Sequence, residues 1–276
     1  MIDHLRRDAT PTGRGPGLGG MFMTNLRLAA FLPFSILFIA PGISSAQPRA
    51  PIAEQIGKAY GLDSFGQVEA IRYTFNIPEL KLSRTWVWEP KTDTVSYEGP
   101  DKKGKPVKVT YKRDDLSSQS DAIKNDIDPA FVSDHYVLLF PLHVVWDDWA
   151  TVTDEGIHEM PISKKAARRV VVKYPSQGGY SVGDTWELYV GKNKRLEEFV
   201  YHRAGQGWPS LYTATWEGYE KAGPLLLSTD HEGTTGDGKS VRAFFSDVAV
   251  KVTGSDKWVN AQPTSEQSAS EKIARK

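Results

Sequence analysis

Hydrophobic and polar residues alternate along most of the chain from residue 68 onward, as in β-strands that bury one face. In "VEAIRYTFNI" every second residue from Ile71 to Ile77 is apolar. Further strands are predicted in "KLSRTWVWE", "TVSYEG", "PVKVTYK", "RRVVVKY", "DTWELYVG", "RLEEFVYHRA", "LYTATWEGYE", "LLLSTD" and "VRAFFSDVAVKV". Because short turns connect antiparallel neighbours, these roughly nine or ten strands are predicted to form one antiparallel sheet.

Two segments have a helical pattern instead. The stretch "PIAEQIGKAYGL" repeats apolar residues every four positions behind Pro51, which predicts a short N-terminal helix. Between residues 118 and 150 the strand alternation stops. We therefore predict a helical insertion there, with Ser118 or Ser120 as its cap and an interruption at Pro129.

The last long strand carries a sign of bending, as expected for a sheet of this size, which tends to curl. Val241, Ala243 and Phe245 occupy odd positions, whereas Val248, Val250 and Val252 occupy even positions. A β-bulge is predicted at Ser246–Asp247, because one extra residue moves the side chains that follow it to the other face of the sheet.

The N-terminus has the zones of a secretory signal peptide. A basic residue precedes an apolar run and small residues follow, which predicts cleavage after Ala46 and a signal peptide over residues 1–46. The apolar run is short for a membrane span, and an uncleaved anchor is the alternative. Residues 1–20 resemble no domain, and a start at Met21 or Met23 would remove them.

The composition is that of an ordinary globular protein. The chain has 276 residues, equal numbers of acidic and basic side chains, and no cysteine. Charge balance argues against a nucleic-acid partner, because phosphate binding requires a basic face. Without cysteine there are no disulfides and no lipid-modified cysteine. We expect a periplasmic or secreted monomer with one domain over residues 51–260, a disordered polar tail over 261–276 and no membrane span after cleavage.

The segment "YVLLFPLHVVWDDWA", residues 136–150, is apolar on nearly every side and too short to span a membrane. We predict that it lies buried across the concave face of the sheet, near Trp86 and Trp88. It is then either part of the core or a lid over an apolar pocket. Asp147 and Asp148 are predicted to mark its return to solvent, because an unpaired buried carboxylate is costly.

One stretch, Gly179–Gly183, matches the G-x-S-x-G pattern of hydrolases, with Ser181 at the nucleophile position. Such a serine lies on a turn between a strand and a helix. Here a strand pattern follows the serine, so we predict an ordinary turn without a histidine partner. No catalytic residue is assigned.

The histidines show no metal-binding spacing. The four-residue separation of His143 and Asp147 would place them on one helical face, which indicates a hydrogen-bonded structural pair. The chain also has no phosphate-binding glycine loop and no dinucleotide motif. We therefore expect neither a metal ion nor a cofactor.

Four stretches carry a wider resemblance, a helix end followed by a strand in the first and strands joined by short turns in the other three: "AYGLDSFGQVEAIRYTFNI", "RTWVWEPKTDTVSYEG", "GDTWELYVGKNKRLEEFVYHR" and "YTATWEGYEKAGPLLLSTD". Together they resemble the periplasmic lipoprotein-carrier superfamily of LolA-like and LolB-like proteins, and its uncharacterised secreted relatives most of all. The resemblance implies a mainly β (α+β) fold, an unclosed half-barrel with an N-terminal helix and a helical insertion (about 118–150) over its concave face. The carriers also have an arginine that latches this lid, for which Arg72 and Arg84 are candidates.

The leading hypothesis is an exported, non-enzymatic carrier or sensor that binds an apolar small molecule, such as a lipid or an acyl chain. Burial of apolar surface, at about 25 cal/mol per Å², would drive binding. The cavity is predicted to be lined by Trp86, Trp88, Leu138, Leu139, Phe140, Leu142, Trp146 and Trp186. The alternatives are a secreted hydrolase that uses Ser181 and a structural or interaction module with a filled core.

Overall fold

A computed structural model describes residues 50–204 and 211–264. The predicted signal peptide over 1–46 and the last residues of the predicted tail, 265–276, lie outside the described residues. The helices are α1 (Pro51–Ala59) and α2 (Asp128–Trp146). The strands before α2 are β1 (Val68–Ile77), β2 (Leu82–Glu89), β3 (Thr94–Pro100) and β4 (Pro106–Lys112). The strands after it are β5 (Thr151–Glu159), β6 (Ala166–Lys173), β7 (Thr185–Val190), β8 (Leu196–His202), β9 (Leu211–Thr215), β10 (Glu217–Ala222), β11 (Leu225–Thr235), β12 (Ser240–Val252), β13 (Trp258–Asn260) and β14 (Gln262–Pro263).

All described strands belong to one antiparallel sheet, in the order β4-β3-β2-β1-β12-β11-β9-β8-β7-β6-β5. The short strands attach along it, with β10 on β11, β13 on β12 and β14 on β10. Because β4 and β5 lie at opposite ends of this order, the sheet does not close. The predicted fold class is confirmed: a mainly β protein with one large unclosed antiparallel sheet, an N-terminal helix and a helical insertion.

The concave face of the sheet is built by the alternation seen in the sequence. Strands β1 and β2 pair Ile71 with Trp88 and Tyr73 with Trp86, which places large apolar side chains on one side. Helix α2 covers this side: the ring of Phe131 lies 5.5 Å from that of Trp86, between centroids. The insertion therefore buries the apolar face of the sheet.

Helix α1 packs on α2 through a close approach at Gly57. A Cβ atom at this position would lie 2.9 Å from Val145 Cγ2, which is closer than real Cβ contacts. A larger residue at this position would force the side chains of Val145 and Leu62 to move, so glycine permits the close approach of the two helices.

The beginning of the insertion differs in part from the prediction. Ser120 Oγ accepts a hydrogen bond from the Ile123 N–H at 3.4 Å, as expected of a cap. The predicted interruption at Pro129 is wrong, because a π-helical turn over Ile123–Ile127 leads directly into α2. Pro129 lies in the first turn of α2, where a residue without an N–H is tolerated.

The predicted bulge is confirmed. Arg72 pairs with Ala249 and Thr74 pairs with Ser246, so β12 uses one residue more than β1 between these pairs. Asp247 has a φ of 55°, in the left-handed region. The extra residue moves Val248 to the buried face, as the change of parity indicated.

Two strand predictions are wrong. Strand β5 was missed, because it lies at the edge of the sheet and, of its apolar residues, only Val152 is buried. The stretch "LYTATWEGYE" forms two strands, β9 and β10, which break at the buried residue Trp216. In addition, Gln262–Pro263 pairs with β10, so the paired chain continues beyond the predicted domain end at residue 260.

Candidate functional site

A cavity of about 580 Å³ lies between α2 and the concave face of the sheet. The segment before β7 and the end of β8 complete its wall. Aromatic and aliphatic side chains form most of the wall, among them Phe75, Val132, Val137, Phe199, Val241 and Ala243. Protein pockets for small molecules have volumes of roughly 300–1,000 Å³ and mostly apolar walls, so this cavity is a candidate binding site.

Helix α2 presents different residues to the cavity and to the core. The cavity face is formed by Pro129, Val132, Ser133, Tyr136 and Val137. The core face is formed by Phe131, Asp134, Leu138, Leu139 and Leu142, which are almost completely buried. The absence of a polar face in the sequence therefore has two causes, because one side contacts the sheet and the other borders the cavity.

The residues predicted to line a cavity are placed as follows. Trp186 lies in the wall of the cavity, and Phe140 stacks on it with ring centroids 4.1 Å apart. The buried core contains Trp86, Leu138, Leu139, Phe140 and Leu142. Trp88 and Trp146 are partly buried and pack against that core. The predicted burial of residues 136–150 is confirmed for the leucines of this segment. A ligand-binding role for these residues stays a prediction.

Arg84 places a positive charge in the cavity wall. Its Nη2 atom donates a hydrogen bond to Oδ1 of Asp134 on α2 at 2.5 Å, and the Trp86 indole donates to the other oxygen at 2.9 Å. Asp134 is completely buried. Burial raises the pKa of Asp134 to about 6, although Arg84 and Trp86 favour its charged form. This ion pair ties strand β2 to α2.

The first turn of α2 is fixed by a second buried carboxylate, Asp128. One of its oxygens accepts hydrogen bonds from the Tyr111 hydroxyl at 3.0 Å and from Arg113 Nε at 2.8 Å. The other accepts a hydrogen bond from the hydroxyl of Tyr180, which lies in the cavity wall. The helix is therefore joined both to the sheet and to the segment before β7.

The C-terminal end of α2 is fixed by Asp147, and here one prediction is wrong. Asp147 is completely buried, whereas Asp148 is exposed as predicted. The hydroxyls of Tyr136 and Tyr174 donate to Asp147 at 2.7 and 2.6 Å, and His143 Nδ1 lies 3.1 Å from its other oxygen. The expected cost of burial does not apply, because these partners satisfy the carboxylate.

The contacts of Asp147 also affect the pKa of its carboxyl group. Burial alone would raise the pKa of Asp147, but the neighbouring His143 and the two tyrosine hydroxyls hold it below the ordinary value. The prediction of a hydrogen-bonded structural pair of His143 and Asp147 is confirmed.

The motif around Ser181 forms a turn, as predicted. The Asp184 N–H donates to the Ser181 carbonyl at 3.0 Å, and β7 begins at the next residue. The side chain of Ser181 lies in the cavity wall. In the described part of the chain, no hydrogen bond joins Ser181 to a histidine. A nucleophile elbow requires a helix after the serine, which this segment lacks.

Residues 50–204 and 211–264 contain no group of three or more histidine, cysteine or acidic side chains arranged to hold a metal ion. None of their helices combines the length and the apolar character that crossing a membrane would require.

Sequence reasoning named Arg84 only as a possible lid latch and did not place it in the cavity, although a signal for that placement existed. Arg84 has the same parity as Trp86 and Trp88, so the alternation of β2 places it on the concave face. For Asp134 and Asp128 no comparable signal existed. Their partners come from strands and loop segments that only the tertiary structure brings against α2.

No protein-family model matches the chain, and no curated protein sequence matches it. Three solved structures are similar. A putative outer membrane lipoprotein-sorting protein domain from Vibrio parahaemolyticus is 9% identical with a TM-score of 0.42, over 77% of this chain and 96% of its own. A DUF1329 family protein from Desulfovibrio piger is 9% identical with a TM-score of 0.39, over 74% of this chain and 94% of its own.

A LolA superfamily protein from Nitrosomonas europaea is 12% identical with a TM-score of 0.33, over 72% of this chain and 93% of its own. Each of the three similarities is one of structure, at low sequence identity. At these identities the similarity concerns the fold alone.

Proposed function

We propose that this is an exported, non-enzymatic protein that binds an apolar ligand, such as a lipid or an acyl chain, in the cavity between α2 and the sheet. The observation that supports the proposal is the cavity itself, with its volume of about 580 Å³ and its largely aliphatic and aromatic wall. An apolar ligand that enters it loses contact with water. Each buried CH₂ group contributes about 0.8 kcal/mol to binding.

The rim of the cavity supports the same ligand class. Leu80, Tyr180 and Val182 line it and are 52%, 47% and 39% exposed. Exposed apolar side chains that surround an opening are typical of a surface that receives an apolar partner. Their exposure would be explained by contact with the ligand as it enters.

The predicted signal peptide over residues 1–46 supports export, and we propose a periplasmic or secreted location. A carrier needs its ligand to enter and leave, and α2 forms one side of the opening. In this proposal α2 acts as the lid, held by Asp128, Asp134 and Asp147 when it is closed.

The proposal is tested by binding of an apolar fluorescent dye and by native mass spectrometry of protein purified without detergent. We expect the dye to bind and a bound lipid to add mass. Val182→Asp should weaken dye binding by about ten-fold or more, because it places a charge against the apolar ligand. The matched control is Ile157→Asp, since Ile157 is 66% exposed and lies on β5, outside the cavity wall. Equal effects of both variants, or no binding at all, would refute the proposal.

A further inference from the structure

Arg84 is an unusual member of an apolar wall. A charge in such surroundings is costly unless it is paired. Arg84 keeps 18% of its side chain exposed and lines the cavity, whereas its partner Asp134 is fully buried and is absent from the cavity wall. The Asp134 carboxylate therefore balances the positive charge of Arg84 from the side of α2. The guanidinium group of Arg84 also borders the cavity.

The guanidinium has donors that the protein does not use. Among the described residues, its hydrogen bonding is limited to the bond from Nη2 to Asp134, and Nε is buried without a partner. Guanidinium groups carry five N–H donors in a planar arrangement that fits an anionic oxygen pair. Buried donors without partners are rare in folded proteins and call for an explanation.

Two other donors are also buried without a partner. Tyr73 lies next to Arg84 on the concave face, diagonal to it across β1 and β2, and its hydroxyl is buried without a partner. The indole N–H of Trp186, in the cavity wall, is also buried without a partner. All three groups can donate a hydrogen bond. These three atoms are shielded from the cavity, and Tyr73 does not line it, so the donors that an occupant can reach are the remaining N–H groups of Arg84.

The acidic group in the cavity wall is already satisfied. Asp184 accepts hydrogen bonds from the Tyr201 hydroxyl at 2.7 Å and from the Ala204 N–H at 2.8 Å. A second cation, Arg203, also lines the cavity. The groups that border the cavity therefore favour an occupant that accepts hydrogen bonds over one that donates them.

We propose that the occupant is an amphiphile with an anionic oxygen head group, either a carboxylate or a phosphate monoester, which binds at Arg84 while its hydrocarbon tail lies along the apolar wall. This inference rests on the proposed function and specifies the ligand class. The charged head would receive charge-assisted hydrogen bonds from Arg84, which are stronger than those between neutral groups.

The test compares three ligands with the same tail: dodecanoate, dodecyl phosphate and dodecanol, each titrated against the protein at about pH 8, where the carboxylic head is ionised. We expect the two anions to bind about ten-fold more tightly than the alcohol. Between the anions, the tighter one identifies whether a carboxylate or a phosphate is preferred, and either order supports the proposal.

The variant that tests the residue is Arg84→Met combined with Asp134→Asn. Removing Arg84 alone would leave Asp134 charged and unpaired in the core, whereas the double change keeps the buried charge balanced. We expect this variant to bind all three ligands within about two-fold of the affinity of the unmodified protein for dodecanol. The control is Arg72→Met, because Arg72 stacks on Trp258 at 4.9 Å and does not line the cavity.

The possible failures are distinct. Equal affinity of the unmodified protein for dodecanol and the two anions would overturn the head-group assignment and leave the proposed function intact. Retention of a ten-fold preference for the anions in the double variant would overturn the role of Arg84. If none of the three ligands binds, the proposed function fails and the head-group assignment fails with it.

Discussion

The partly exposed guanidinium of Arg84 and the buried carboxylate of Asp134 form an ion pair, 2.5 Å long, that joins strand β2 to helix α2. Trp86, two residues further along β2, donates a hydrogen bond to the same carboxylate. Asp128 and Asp147 make corresponding contacts at the two ends of α2. Polar contacts at three positions along α2, together with apolar packing, therefore hold the insertion on the sheet.

Asp134→Ala should destabilise the protein by about 3–5 kcal/mol, because it leaves the Arg84 charge buried beside an unpaired indole N–H. Arg84→Met in the same background should recover part of this loss. Urea unfolding of the two single variants and the double variant gives the coupling energy of the pair. Additive effects would show that the two residues contribute independently.

The pH dependence of the unfolding free energy should reveal the titration of the Asp134 carboxyl group. Because burial raises its pKa to about 6, the folded protein retains a proton that the unfolded chain, with an aspartate pKa of about 3.9, has already released. The contribution of Asp134 is therefore fully present below about pH 4 and is lost as the pH rises through about 6, an effect of about 3 kcal/mol.

The measurement is the difference in unfolding free energy between the unmodified protein and Asp134→Asn from about pH 4 to 7. Burial lowers the pKa of His135 well below its ordinary range, so His135 acts in the opposite direction and loses its contribution as the pH falls. Taking the difference removes this effect, because both proteins contain His135. A difference that does not change with pH would contradict the prediction.

The two faces of α2 should respond differently to truncation. Leu139 is 1% exposed and belongs to the core, so Leu139→Ala should cost about 2–5 kcal/mol of stability and leave the affinity for an apolar dye unchanged. Val137 is only partly buried and lines the cavity, so Val137→Ala should cost less and should weaken dye binding. The opposite pattern would mean that the ligand contacts the leucine face.

The bulge in β12 should be sensitive to the backbone preference at Asp247, whose φ is 55°. Asp247→Gly should stabilise the protein by about 0.5–1 kcal/mol, and Asp247→Val should destabilise it by about 1–2 kcal/mol. Lys112→Val, at an exposed strand position, is the control for adding an apolar side chain. The change in thermal midpoint measures all three. Similar midpoints for Asp247→Val and the control would argue against backbone strain.

Much of the fold follows from local patterns. The parity of apolar residues in β1 and β2 predicts which side chains face α2, since alternation on a pleated strand is geometric. The parity change between Phe245 and Val248 predicts the bulge for the same reason. Strand β5 escaped this reasoning, because an edge strand with a single neighbour buries too few side chains to show a pattern.

The candidate site could be predicted less well. Apolar character identified the leucines of α2 as buried, but it does not separate a side chain that fills the core from one that borders a cavity. That difference depends on how closely the opposite surfaces approach. Leu139 and Val137 are both apolar residues of one helix, yet only Val137 faces the cavity.

By itself, the sequence determined the antiparallel sheet, the N-terminal helix and the burial of the insertion, because each depends on the spacing of apolar residues along the chain. The tertiary structure decided where charges are tolerated. Asp147 is buried because Tyr174 and Tyr136 reach it, and Asp134 is buried because Arg84 does. The local spacing of His143 and Asp147 predicted their hydrogen bond, but the burial of the two carboxylates also depends on Tyr174 and Arg84, which are distant in sequence and which no local pattern could reveal.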